Sequence, residues 1–436
     1  MRSAQWRCCV ILLLAGLAPV WAESGSRDPE FAKVPFDEWL KGGGQAHLKW
    51  RAHANPAQLS MYQRLWTQIE VEMDGVDLAE RRGKGQMRIF IQFTDEAGNR
   101  YQDHGVIELG KLEEGIRSQN LLYTQHVFVT PGEYRVGFAI FDSETGEHNA
   151  REERLRVSTL KSDPLPPDTG SDFPPVEFVG SSEVPDAWYL PAARGRLHVT
   201  FGPREPVRVE LLLNLTPSED LAGSSGVQKR NLSGLIPMLK ILSQAGGSDA
   251  PVSVEDLDLA RRRVLFQQDN VRTLDWKALR ETLEEKATGM IDLKSLEDRQ
   301  HNAAFFVQEV ARKIGPPQSH PPPVIIVLSS PVSFVSKEDL HPISVNPPPG
   351  TRVFYLRYHA PSEHKNPAMM NPYEDGRPMG GFGRRRGPLQ GPGNGGVQID
   401  QLANTLKPLS PHIFNIDTPE DFRKALAAML AEIARL

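Results

Sequence analysis

The sequence predicts a multidomain protein with an N-terminal antiparallel β-sandwich and a C-terminal doubly wound α/β domain. Strict alternation of apolar and polar residues in several segments between residues 65 and 141 predicts the β-sandwich. An uninterrupted apolar run at residues 207–215 has the length of a strand that is buried on both faces. Strand and helix patterns alternate after that run, which is typical of a doubly wound sheet.

The β-sandwich is predicted from the period of two in three segments. In the segment LWTQIEVEMD, residues Leu65, Ile69 and Val71 share one face, and residues 87–94 and 134–141 repeat the pattern. Pro-Gly and Asp/Asn/Gly turn signals separate these segments. We therefore expect an immunoglobulin-like (Ig-like) β-sandwich at 61–158. A signal peptide is expected before it at 1–22, followed by a lead-in segment at 23–60.

The second domain is expected at 197–436, after a semi-rigid Pro-rich linker at 159–196 that holds the two domains apart. Strands are predicted at 207–215, 324–328, 353–357 and 412–416, with a hairpin formed by 252–259 and 263–268. Helices are predicted at 232–243, 274–286, 293–314 and 399–406, and from Pro419 to the C-terminus. Pro237 would have to lie in the first turn of its helix, because a proline in a helix interior lacks the N–H donor.

The N-terminus reads as a secretory signal with cleavage after Ala22. Arg2 and Arg7 form a basic start, an apolar core follows, and small or tolerated residues occupy the cleavage positions. The predicted location is therefore periplasmic or secreted, with no membrane span after cleavage. Both cysteines, Cys8 and Cys9, lie in this signal, which predicts a mature chain without disulfides. A formal net charge of −5 argues against nucleic-acid binding.

A short polar series follows the apolar run, at the position where parallel sheets bind ligands. Asn214, Thr216 and Ser218 lie just beyond the carboxyl end of the predicted strand. This stretch resembles the first strand and metal-site loop of a von Willebrand factor A domain, of the type found in secreted bacterial proteins related to that family. The family loop reads Asp-x-Ser-x-Ser and holds a divalent cation, whereas this sequence reads Asn-x-Thr-x-Ser. The resemblance implies a Rossmann-like fold of the von Willebrand A type.

The same resemblance implies that the metal site is degenerate. The family's second acidic ligand follows the fourth strand, but here the strand at 324–328 is followed by Ser329 and Ser330. Mg²⁺ prefers carboxylate oxygens, and the neutral amide of Asn214 removes most of the attraction. We therefore expect no metal and no cofactor, although weak divalent-cation binding stays open. The chain's 12 histidines show no His-Glu-x-x-His spacing that would indicate a zinc site.

A Gly-, Pro- and Arg-rich insertion at 361–396 interrupts the second domain. Few of its residues could contribute to a core, so we expect it to be disordered. It is interpreted either as a solvated insertion without a partner or as an arm that binds one.

The predicted function is that of a secreted or periplasmic, non-enzymatic protein of the adhesion type that binds an unknown protein partner. The predicted binding residues are Asn214, Thr216, Ser218, Ser329 and Ser330; no catalytic residue is predicted. Two alternatives stay open at this stage. One is an envelope enzyme or enzyme subunit, which would need a deep pocket with converging titratable groups. The other is a carbohydrate-binding β-sandwich, which would need Phe90 and Tyr101 to be exposed.

Overall fold

The computed structural model describes residues 28–42, 47–83, 85–179, 190, 193–215, 225–259, 261–287, 302–332, 343, 346–360 and 400–436. The described residues form three β-sheets. Their strands are β1 (Trp50–Ala54), β2 (Gln58–Leu59), β3 (Leu65–Met73), β4 (Gln86–Thr94), β5 (Arg100–Glu108), β6 (Leu121–Val129), β7 (Gly132–Asp142), β8 (His148–Val157), β9 (Val176–Phe178), β10 (Arg208–Asn214), β11 (Val252–Asp258), β12 (Arg263–Gln268), β13 (Pro323–Ser329), β14 (Arg352–Tyr358) and β15 (His412–Ile416). The α-helices are α1 (Phe36–Gly42), α2 (Gly75–Glu80), α3 (Ser225–Gln244), α4 (Trp276–Ala287), α5 (Asn302–Ile314), α6 (Gln401–Leu406) and α7 (Pro419–Ile433).

The first two sheets are antiparallel and enclose one apolar core. One sheet has the order β1-β3-β6-β9, with β2 on β3, and the other has the order β5-β4-β7-β8. Alternate residues of each strand point into the core: Ile69 and Val71 from β3 meet Ile91 from β4 and Phe138 from β7. We refer to these two sandwich-like sheets as the two-sheet region.

The predicted lead-in and linker both contribute to this region. The lead-in supplies β1 and β2, and a 3₁₀ helix (Pro29–Lys33) with α1 covers the outer face of the second sheet. Phe31 packs edge-on against Phe90, with ring centroids 5.0 Å apart. The linker supplies β9, which pairs with β6. These segments were missed because each strand is short and proline or glycine lies close to it.

The six-stranded sheet has the order β12-β11-β10-β13-β14-β15. Strands β11, β10, β13, β14 and β15 are parallel to their neighbours, and the edge strand β12 is antiparallel to β11. One face packs on a core shared with α3 and α7, and the other on a smaller core shared with α5 and α6. The strand expected at 207–215 lies beside the one expected at 324–328.

The predicted fold class is nevertheless wrong. The protein is mostly β, with three sheets and 35% strand against 28% helix, and it does not form a clear doubly wound, Rossmann-like α/β domain. The sequence patterns identified buried strands and several helices, but a local alternation of strand and helix does not fix the balance of strand and helix in the whole protein. Proline-rich stretches occupy much of the sequence between the strands, and α6, on the second face, has only six residues.

The two-sheet region and the six-stranded sheet are in direct contact, although the sequence predicted that the linker would hold them apart. Arg423 of α7 donates from Nε to Asp163 Oδ1 at 2.7 Å and from Nη1 to the Gln63 carbonyl at 3.3 Å. Gln63 Nε2 in turn donates to the carbonyl of Pro419 at 3.0 Å. Asp163 belongs to the predicted linker, so this segment joins the two parts instead of separating them.

Helix α3 begins earlier than the sequence predicts. It starts at Ser225, which places Pro237 in the helix interior and not in the first turn. The helix lies close to β14: a Cβ added at Gly234 would be 2.1 Å from Cζ of Tyr358. Among the described helices, none is both long and apolar enough to cross a membrane.

Candidate functional site at the carboxyl edge of the six-stranded sheet

The two predicted binding loops leave the sheet side by side. Asn214 is the last residue of β10, Ser329 is the last residue of β13, and the two are paired in the register of these parallel strands. The carboxyl ends of β11, β14 and β15 reach the same edge. The loops that follow the strands are therefore neighbours at the position where sheets of parallel strands bind ligands.

A short chain of hydrogen bonds links the ends of β10 and β13. Asn214 Nδ2 donates to Ser329 Oγ at 3.0 Å, and Ser329 Oγ donates to the carbonyl of Ser330 at 2.6 Å. Asn214 is 8% exposed and Ser329 is completely buried. These two side chains thus position the loops, and their amide and hydroxyl groups are largely used within the protein. Thr216 and Ser218 lie outside the described residues.

Ser330 differs from its neighbours because its hydroxyl is buried without a partner. Ser330 Oγ makes no hydrogen bond in the part of the chain that the structure describes. A hydroxyl can donate one hydrogen bond and accept two. Leaving such a group buried and unsatisfied costs about 1–3 kcal/mol, so it is an unusual feature in a folded protein.

A buried carboxylate at this edge was missed in the sequence. Asp256 of β11 is completely buried, and its Oδ1 accepts a hydrogen bond from the N–H of Leu215 at 3.1 Å. It lies opposite Leu213 in the register of β10 and β11. The comparison with the metal-site loop directed attention to the residues after the strands, whereas Asp256 lies within one. The signal was available in the acidic sequence VSVEDLD, which is unusual for a buried strand.

The carboxylate changes what the edge offers to a cation. Carboxylate, amide and hydroxyl oxygens are the groups that hard divalent cations bind. The sequence predicted no anionic group here, and Asp256 supplies one beside Asn214. Asp256 is therefore the residue to change when metal binding at this edge is tested.

The opposite half of the edge is held together by an arginine. Arg357 of β14 donates from Nη1 to Asp400 Oδ2 at 3.2 Å and from Nε to Asn415 Oδ1 at 2.8 Å. Asp400 also caps α6 by accepting from the N–H of Leu402 at 3.2 Å. Burial, and then the nearby Asp400 charge, raise the pKa of the Tyr355 hydroxyl well above its ordinary value.

The two alternative functions fare differently. Phe90 is 0% exposed and Tyr101 is 2% exposed, so the exposed aromatic surface that a carbohydrate-binding sandwich requires is absent at these residues.

A groove of about 270 Å³ on the first sheet is lined by titratable groups. These groups pair with one another, as Arg51 with Glu72 at 2.6 Å and His53 with Glu70 at 3.4 Å. The enzyme alternative therefore gains no argument from this groove.

Comparisons with known proteins give no family. No protein-family model matches the chain, and no curated protein matches it. The crystal structure of the ApaA protein from Bordetella pertussis is 16% identical, with a TM-score of 0.17, and covers 26% of this chain and 95% of that one. An X-ray structure from the Northeast Structural Genomics Consortium is 13% identical, with a TM-score of 0.16, and covers 26% of this chain and 86% of that one. TM-scores this low support no conclusion about the fold or function of this chain. The resemblance to von Willebrand factor A domains stays a prediction.

Proposed function

We propose that this protein is a secreted or periplasmic, non-enzymatic interaction protein that binds a protein partner at the carboxyl edge of the six-stranded sheet. The proposed site comprises Asn214, Ser329 and Ser330, together with Thr216 and Ser218, which follow β10 in the sequence; Asn214 and Ser329 position the loops, and Ser330 contacts the partner. The observation that carries the proposal is the buried, unsatisfied hydroxyl of Ser330 beside the hydrogen-bonded ends of β10 and β13.

The partner's chemistry follows from the groups that are still available. Asn214 and Ser329 are largely satisfied by each other, whereas Ser330 Oγ has an O–H to donate. When docking displaces the groups that cover Ser330 Oγ, a carbonyl or carboxylate oxygen of a partner polypeptide would accept this hydrogen bond and remove the cost of leaving the hydroxyl unpaired. The proposed role of the site is to dock a polypeptide, with no chemical step.

The proposed location depends on the predicted signal at 1–22, which lies outside the described residues, as does the insertion at 361–396. The insertion keeps both interpretations that its sequence allows. Capture of the partner by chains with and without residues 361–396 distinguishes an arm that binds the partner from an insertion that does not.

Site-specific photo-crosslinking from the two ends of β14 tests the proposed surface. A benzophenone side chain is placed either at position 359, just after the carboxyl end of the strand, or at position 352, at its amino end. The native side chains there are similarly exposed, at 37% for His359 and 42% for Arg352, so accessibility is matched. The full chain is expressed and irradiated in envelope and secreted fractions.

The proposal predicts a crosslinked polypeptide from position 359 and little or none from position 352. The same crosslinked partner should be lost when unlabelled wild-type protein competes. Equal yields from both positions, or crosslinks from position 352 alone, would contradict a partner that docks at the carboxyl edge.

A further inference from the structure

Three metal-ligating side chains meet at the edge of the second antiparallel sheet, away from the site described above. They are Asp28, Asp103 and His104, and one ligand atom from each lies within 4.8 Å of the other two. The set combines two carboxylates with an imidazole. It could not be recognised in the sequence, because Asp28 and His104 are separated by 76 residues.

The edge position explains how consecutive residues can face one point. Asp103 pairs with Ile91, which lies in the core, and His104 pairs with Phe90, which lies on the outer face. Consecutive side chains of a strand point to opposite faces. Strand β5 is the outermost strand of its sheet, so a group beyond the edge can reach both side chains.

Asp28 occupies that position and is fixed there by two contacts. Its Oδ1 accepts a hydrogen bond from the N–H of Glu30 at 2.9 Å, as the N-cap of the 3₁₀ helix. Its Oδ2 is hydrogen-bonded to Nδ1 of His104. The His104 ring also lies parallel to the ring of Phe90, with centroids 6.2 Å apart, which restricts the orientation of the imidazole.

The two carboxylates and the imidazole lie in a partly buried place at the sheet edge. Burial, and then the charge of Asp28, raise the pKa of Asp103 to about 6. The charged side chains that influence Asp103 are Asp28 and His104, with no lysine or arginine among them. Tyr123 of β6 lies close enough for the charge of Asp103 to help raise its own pKa. A bound cation would remove the repulsion between the two carboxylates.

We propose that Asp28, Asp103 and His104 bind one divalent transition-metal cation of the Zn²⁺ class. An imidazole nitrogen and two carboxylate oxygens are ligands that Zn²⁺ accepts, whereas Mg²⁺ and Ca²⁺ prefer oxygen alone. Three protein ligands leave the remaining coordination position to water. The cation joins residue 28 to β5, and so fastens the segment that carries Phe31, Phe36 and Trp39 to the outer face of the sheet.

Titration of the full, metal-stripped chain with ZnCl₂ tests the proposal, with Co²⁺ absorption as a second readout of the ligand set. The expected result is one site of micromolar or tighter affinity, weakened on the order of 100-fold by Asp103→Asn and by His104→Gln. The conservative variant Asp28→Asn should weaken it as well, and circular dichroism of the metal-free variants checks their fold. Two matched controls should leave binding unchanged: His53→Gln, at an exposed His–Glu pair, and Asp256→Asn, at the carboxyl edge.

Each other outcome would overturn the proposal. Absence of a site in the wild-type chain would do so, and so would a site that survives His104→Gln. Binding that is lost in His53→Gln would identify a surface site instead. Binding that is lost only in Asp256→Asn would locate the cation at the carboxyl edge, which would contradict this proposal and the metal-free character of the proposed partner site together.

Discussion

Strand β3 of the two-sheet region and strand β13 of the six-stranded sheet differ in how they accommodate polar residues. In β3 of the two-sheet region, the buried Ile69 and Val71 alternate with the partly exposed Gln68 and Glu70, so charged side chains can reach solvent on the outer face. In β13 every residue is buried, because the six-stranded sheet is covered on both faces. Any charge carried by its central strands must therefore find a partner inside the protein.

The six-stranded sheet contains such charges. Glu210 of β10 and Glu255 of β11 are 5% and 0% exposed, and both contact Lys313 of α5. Lys313 Nζ lies 2.9 Å from Glu210 Oε2 and 3.1 Å from Glu255 Oε2. On the outer face of β3 in the two-sheet region, by contrast, the pair Arg51 with Glu72 is exposed to solvent, although this region also buries a pair, Arg64 with Glu177. When a sheet is covered on both faces, an ion pair on its central strands is buried. Removing one partner then leaves an unpaired charge inside the protein, which destabilises the fold.

The largest effect is expected from Lys313→Met. This change removes the cation that two buried carboxylates share and leaves each with one arginine, Arg208 beside Glu210 and Arg312 beside Glu255. Removing one partner of a buried ion pair typically costs 3–5 kcal/mol, and the remaining arginines place the cost at the lower end. We expect the free energy of unfolding, measured by urea titration, to fall by about 3 kcal/mol.

Lys424→Met is the matched control, because Lys424 is 71% exposed and its nearest carboxylate, Asp421, lies 3.9 Å away. It should change the free energy of unfolding by less than about 0.5 kcal/mol. A loss of less than 1 kcal/mol in the free energy of unfolding for Lys313→Met would show that the buried ion pair contributes no more to stability than an exposed one.

The next effect is expected at His126, which is partly buried in the two-sheet region and whose pKa is shifted by burial alone. Burial lowers the pKa of His126 to about 4, from an ordinary value of 6.5. The unfolded chain therefore binds this proton first as the pH falls. The contribution of His126 to stability is complete above pH 6.5 and is lost as the pH falls towards 4, by about 3 kcal/mol in all.

His126→Gln should remove this part of the pH dependence, so the difference between wild type and variant at pH 7 and pH 4 is the quantity to measure. Trp66, whose ring lies 4.6 Å from the His126 ring, provides a fluorescence signal. NMR titration of the His126 ring gives its pKa directly, and a value near 6.5 would refute the prediction.

A smaller effect is expected at the contact between the two regions. Arg423→Met removes the hydrogen bonds to Asp163 and Gln63, and hydrogen bonds to charged groups contribute about 1.5–3 kcal/mol. We expect a loss of about 2 kcal/mol and a separation of the unfolding transitions of the two regions in calorimetry. Arg435→Met, at an exposed arginine near the C-terminus, serves as the control. A single, unshifted transition in Arg423→Met would show that the regions are coupled elsewhere.

The helix cap of α7 supplies a prediction of about 1 kcal/mol. Thr418 Oγ1 accepts from the N–H of Asp421 at 3.2 Å, and Asp421 Oδ2 accepts from the N–H of Thr418 at 3.1 Å. Thr418→Ala removes one half of this capping box and should lower the free energy of unfolding by about 1 kcal/mol. Thr418→Ser keeps the hydroxyl and should retain most of the stability, and equal losses in both variants would assign the effect to the methyl group.

Sequence patterns correctly predicted those strands and helix ends that depend on residues close together in the chain. The apolar run of β10, the hairpin of β11 and β12 and the start of α7 at Pro419 occur where they were expected. Each depends on a periodicity or a turn signal within about ten residues. The early start of α3 was missed because Pro237 was taken as a start signal, although residues on both sides of it, Leu235 and Leu239, are buried in the core.

Contacts between distant segments could not be predicted in this way. The approach of Asp28 to His104, and of Arg423 to Asp163, depends on how whole elements pack. The doubly wound fold class was wrong for a related reason, because a local alternation of strand and helix patterns does not fix the balance of the two in the whole protein. At the candidate site, the sequence indicated Asn214 and Ser329, but it gave no reason to place Asp256 beside them.

The central claim is that the buried hydroxyl of Ser330 is kept for a partner and not for the fold. The measurement that tests it most directly compares the stability and the partner affinity of Ser330→Ala, with Ser253→Ala, at the amino half of β11, as the control. We expect an unchanged or slightly higher free energy of unfolding for Ser330→Ala. We also expect a 3- to 10-fold weaker affinity for the crosslinked partner, equivalent to roughly 1 kcal/mol. A less stable variant that binds the partner with wild-type affinity would contradict it.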